Sequence, residues 1–72
     1  MISLAINNNQ NLIENINFQS QSEAIKWINN SFLNHVQNFG YDQLNITLKE
    51  DDLLILVKNY ENLSSYFMPY SV

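Results

Sequence analysis

The sequence predicts a two-layer α+β domain: an antiparallel sheet in ββαββ order, with one long helix packed across one face and a short C-terminal tail or helical turn. Three observations carry that expectation. Apolar residues alternate near the start and again in the second half, which is the period of half-buried strands. Between them, the stretch from Ser20 to Gly40 carries apolar residues at helical spacing, bounded by a start signal and a stop signal. Finally, 72 residues without a cysteine make one domain, residues 1-72, with no disulfide scaffold to hold it.

Ile2, Leu4 and Ile6 alternate with Ser3, Ala5 and Asn7, so the first element reads as a strand. Asn7 to Asn11 is a polar turn cluster, because asparagine tolerates left-handed backbone and hydrogen-bonds its own chain. Leu12 to Phe18 reads as a second strand closing a hairpin. A single helical turn over Leu12 to Ile16 competes with it, since Leu12, Ile13 and Ile16 also fit helical spacing.

The helix opens on Ser20-Gln21-Ser22-Glu23, a capping box in which the Ser20 hydroxyl accepts from the Glu23 N–H while the carboxylate reaches back. Ile25, Ile28, Phe32 and Phe39 form the predicted centre of the apolar stripe, with Ala24 and Val36 on its flanks. Lys26, Asn30, Asn34 and Gln37 point away, and Trp27 and Leu33 miss the stripe on either side. Gly40 is the expected terminator.

Leu44, Ile46 and Leu48 alternate with Asn45, Thr47 and Lys49 and should face the helix. Glu50-Asp51-Asp52 is a turn. Leu53 to Val57 then has no alternation, and a strand apolar on both faces is usually covered on both. One helix cannot do that. The missing cover would come from the aromatic tail, in cis or from a second subunit. In that tail Asn62 to Ser65 opens a short helical turn and Pro69 stops it. No internal repeat is visible.

Composition excludes several function classes. A net charge of −4 and a pI near 4.4 oppose phosphate binding, and Lys26, Lys49 and Lys58 cannot build a basic stripe without any arginine. No direct nucleic-acid contact is therefore expected, and no anionic membrane surface either. The apolar run of Leu53 to Val57 is far short of the about 20 residues that span a bilayer. Met1 to Ala5 lacks a charged and apolar leader, so a cytoplasmic location is expected. Formal glycosylation sequons at Asn29, Asn45 and Asn62 then carry no meaning. With Gly40 as the single glycine there is no phosphate loop, and a lone histidine without cysteine makes a zinc site improbable. No cofactor is expected.

The candidate residues are few. His35 at the edge of the stripe is a general acid or base in a functional reading and a packed histidine in a bland one, since no carboxylate stands at helical spacing from it. Glu50, Asp51 and Asp52 could attract a hard cation, but consecutive side chains at a strand end diverge, so a solvated acidic contact is the better expectation. Trp27, Leu54, Leu56, Tyr60, Tyr66, Phe67 and Tyr70 are the partner-binding candidates, with Leu54 and Leu56 placed on the outer sheet face. The expected role is a non-enzymatic, acidic protein-interaction module. It would self-associate or act as a regulator or inhibitor of a larger protein, of the kind encoded by phages or mobile elements. The alternatives are a small enzyme or ligand-binding protein with a pocket near His35 and Tyr41, and an acidic mimic of nucleic acid using Asp42, the acidic turn and Glu61.

Overall fold

The backbone pairs four strands into one antiparallel sheet in the order β2-β1-β3-β4, with the helices on one face. The structure is a computed structural model that describes residues 1–67. β1 is Ile2–Asn8, β2 is Asn11–Phe18, β3 is Leu44–Glu50 and β4 is Leu53–Tyr60. Three helices, α1 (Gln21–Asn30), α2 (Phe32–Val36) and α3 (Ser64–Phe67), complete the described chain. The small α+β class and the four-stranded antiparallel sheet are as predicted. Residues 11–18 form a strand and not a helical turn. β1 and β3 are the inner strands, so the helical connection from β2 passes across β1 to reach β3.

The core is the layer between sheet and helices. Ile2, Leu4 and Ile6 of β1 and Leu44, Ile46 and Leu48 of β3 are buried on one side, facing Ala24, Ile28, Phe32 and Val36. Leu4 stands opposite Leu48 and Ile6 opposite Ile46, so the two central strands present one continuous apolar surface.

The predicted single helix is two helices. Asn29, Asn30 and Ser31 are consecutive residues of low helix propensity, and the helix breaks at Ser31 (φ −128). The break changes which residues are buried. They recur strictly every fourth position, at Ala24, Ile28, Phe32 and Val36, whereas four residues at about 100° each overshoot a full turn by about 40°. The kink at Ser31 absorbs that drift and keeps the row over the sheet. Ile25, expected at the centre of the stripe, is consequently exposed, and Phe39 is only half-buried. α2 ends at Val36, short of the predicted stop. A tight turn follows, with the Phe39 N–H on the Val36 carbonyl, and Gly40 takes the left-handed φ of 82.

The Ser20 cap is present as predicted, with the reciprocal bond displaced by one residue, from Ser20 to Gln19. The Ser20 hydroxyl accepts from the Glu23 N–H at 3.2 Å, and the Glu23 carboxylate accepts from the Gln19 N–H at 3.2 Å. Ser20→Ala is therefore expected to lose about 0.5–2 kcal/mol of stability in urea titration. A loss below about 0.3 kcal/mol would mean that tertiary packing alone holds the start of α1.

The two hairpins share one geometry, which the sequence did not disclose. In each, a two-residue turn begins with a left-handed residue, Asn9 (φ 59) or Asp51 (φ 56). Two residue pairs later each ladder slips by one residue, at Ile6/Asn7 and at Leu48/Lys49. The extra residue is Ile13 in one and Ile55 in the other, and both pack against the core. Asn9 and Asp51, Ile13 and Ile55, Phe18 and Tyr60 all stand forty-two positions apart, an internal repeat of structure. The relation centres on the pair Ala5–Thr47, about which β1–β2 turns onto β3–β4.

Candidate functional site

Among the described residues, nothing covers the face of the sheet turned away from the helices. Register places Asn15, Ala5, Thr47 and Val57 in one cross-strand row on that face, and Asn17, Ser3, Lys49 and Leu54 in the next. Most of these side chains are small or amide-bearing and suit water. Along β4 they are not. Leu54 is 58% exposed and Val57 53%, while Leu53, opposite Glu50 on the helix-facing side, is 74% exposed at the start of the strand. β4 is also an edge strand, paired with β3 alone among the described residues, so the backbone groups on its other side have no strand partner there.

The other partner-binding candidates are spread over the molecule. Leu56 stands opposite buried Leu48, on the helix side and not on the outer face as expected, because the extra residue at Ile55 shifts the alternation. Tyr60 also faces the helices and stacks on Phe32, with ring centroids 4.5 Å apart. It continues an aromatic row across the sheet: Phe32 meets Trp27 edge-on at 6.1 Å, and Trp27 meets Phe18 at 5.8 Å. Trp27 is thus half-buried at the β2 edge, at the rim of an open cleft of about 630 Å³ that Phe18, Glu23 and Lys26 also line. Tyr60 and exposed Tyr66 share a smaller cleft of about 310 Å³ with Ile28, Leu33 and Lys58 at the opposite edge. Phe67 packs against the core from α3. Tyr70 and Pro69 lie outside the described residues.

His35 has a carboxylate partner after all. Its Nε2 lies 2.7 Å from Glu14 Oε1, with both side chains more than a third exposed. Glu14 comes from β2, opposite Ile6, a distance in sequence that helical spacing cannot reveal. Trp27 and Phe39 flank the imidazole edge-on at 5.2 and 5.6 Å. No hydroxyl or second acid hydrogen-bonds this pair among the described residues, so it lacks a nucleophile to activate. Tyr41 lines a cleft of about 120 Å³ with Gly40, Asp42 and Ser64, and His35 is not among the residues that line it.

The acidic side chains are largely committed to structural roles. Glu50 accepts from Gln21 Nε2 at 2.9 Å, which ties the end of β3 to the start of α1. Asp42 Oδ1 accepts from both the backbone N–H and the hydroxyl of Ser64, at 3.0 and 2.9 Å, and so caps α3 from a distant loop. Asp51 and Asp52 remain exposed in the β3–β4 turn. Among the described residues no three His, Cys, Asp or Glu side chains converge to hold a metal ion, and no helix is long and apolar enough to cross a membrane.

Together these residues form an apolar strand edge beside a polar sheet face. Comparison with protein-family models, curated proteins and solved structures finds no match for the chain.

Proposed function

We propose that this chain is a non-catalytic protein-interaction module, regulatory or inhibitory in role, whose contact surface is β4 and the outer face beside it. The exposure of Leu53, Leu54 and Val57 on an edge strand is the observation that carries this reading. A lone exposed leucine is ordinary on a protein surface, but three exposed apolar residues along one edge strand are a template for association. Strand addition would satisfy the free backbone groups while the leucines and valine supply the apolar contact. Catalysis is disfavoured because the one histidine–carboxylate pair serves no hydroxyl. Mimicry of nucleic acid is disfavoured because Glu14, Glu23, Asp42 and Glu50 are each engaged within the fold.

The test is capture from the native host by the tagged protein, compared with a Leu54→Lys/Val57→Lys variant. Both positions are more than half exposed, so the variant should fold, as circular dichroism would verify. The wild type is expected to retain a protein, itself included, that the variant loses. Equal retention by both would remove β4 as the contact surface.

A further inference from the structure

We infer that the occupant of the β4 edge is a second copy of this chain, paired antiparallel through β4 into a continuous eight-stranded sheet. The inference rests on the interaction-module reading above and names its partner. β4 is suited to pairing along its length. It runs over Leu53–Tyr60 without proline or glycine, and its extra residue, Ile55, is accommodated on the β3 side.

Charge selects both the partner and its direction. The acidic turn, Asp51 and Asp52, precedes the N-terminal end of β4, and Lys58, the only cation of that strand, stands near the other end. Lys58 makes no ion pair among the described residues, and its Nζ lies 5.1 Å from the Tyr60 ring centroid. An antiparallel pair centred on Ile55 and Leu56 sets Lys58 of each copy within about one residue of Asp52 of the other, twice by symmetry. It also holds the two acidic turns apart by about 25 Å, the length of an eight-residue strand at about 3.3 Å per residue. Parallel pairing would instead set acid beside acid and Lys58 beside Lys58. Glu61 lies past the strand end and outside the paired stretch. Leu54 and Val57 of both copies then merge on the outer face into one strip.

The other edge is chemically different. β2 has the same backbone geometry, but asparagine stands at its residues 11, 15 and 17 and Glu14 lies between them, bonded to His35. It exposes Leu12, the counterpart of Leu54, but carries Asn15 where β4 has Val57, and it offers no cation to answer the acidic turn.

Sedimentation equilibrium on the wild type, Lys58→Glu, Asp52→Lys and the double variant tests the pairing. The wild type is expected to show a monomer–dimer equilibrium. Each single reversal should weaken it about tenfold, by turning two attractive contacts into repulsive ones, and the double variant should recover to within about threefold of the wild type. Asp52→Lys separates this from bulk charge. It lowers the net negative charge, so repulsion between whole molecules alone would make it dimerise more tightly. A wild type that stays monomeric, a dimer indifferent to the reversals, or a double variant that fails to recover would each overturn the inference. A monomer that still captures another protein through Leu54 and Val57 would leave the interaction reading intact; a monomer that captures nothing would end both.

Discussion

Replacing Phe32 by alanine is expected to cost about 3–5 kcal/mol of folding free energy. Phe32 is fully buried and is the first residue after the helix break. It joins the two halves of the fold, because its ring stacks on Tyr60 of β4 and meets Trp27 of α1 edge-on. Alanine would leave a cavity where three elements converge, and the aromatic row would lose its centre as well as its apolar burial. A domain of this length holds on the order of 4–11 kcal/mol in total, so much of its stability margin would go. The melting temperature should fall by on the order of 20 °C. Urea unfolding followed by Trp27 fluorescence reads the change directly, because Trp27 loses a neighbour in the variant. A loss under about 1.5 kcal/mol would mean that the helical layer collapses freely onto the gap, and the packing described here would be wrong.

Leu63→Ala should have the second-largest effect, about 2–5 kcal/mol. Leu63 is fully buried although it follows the last strand, and it carries α3 onto the core. Two kinds of contact hold this segment. The Leu63 side chain fills the end of the core, while Asp42 accepts the Leu63 N–H at its carbonyl, at 2.9 Å, and the Ser64 N–H at its carboxylate. The two should be coupled. Asp42→Ala is expected to cost clearly less in the Leu63→Ala background than alone, because an undocked segment no longer presents its N–H groups. Additive losses would mean that Asp42 stabilises only its own loop. Hydrogen exchange at Ser65 and Tyr66, whose N–H groups bond back to Asn62 and Leu63, distinguishes undocking of α3 from unfolding of the whole domain.

Much of the architecture was readable in the sequence, and the misses have physical causes. Alternation at Ile2 to Ile6 and Leu44 to Leu48 identified both central strands and their buried faces, because period two leaves a residue only one face to occupy. The capping box was readable because its hydrogen bonds are local. The helix break is not legible in the sequence, although Asn29, Asn30 and Ser31 stand at it, since apolar periodicity continues straight through them. The face of Leu56 differs from the expected one because one extra residue at Ile55 reverses the alternation, and a run of five apolar residues gives no sign of where that residue lies. Glu14 with His35 and Asp42 with Ser64 join side chains from separate elements, so only the assembled fold brings them together. The shared hairpin geometry escaped for another reason: Asn9 and Asp51 do the same backbone work with different side chains.

That likeness between hairpins bears on how far such a sheet could grow. Two borders of matching contour invite the leading border of one molecule onto the trailing border of the next, and head-to-tail joining without closure runs on into fibres. Here the contour repeats while the chemistry does so only in part: both borders expose a leucine, Leu12 and Leu54, but valine and lysine follow on one, asparagine and glutamate on the other. The mismatch is a brake on polymerisation, set in a handful of side chains.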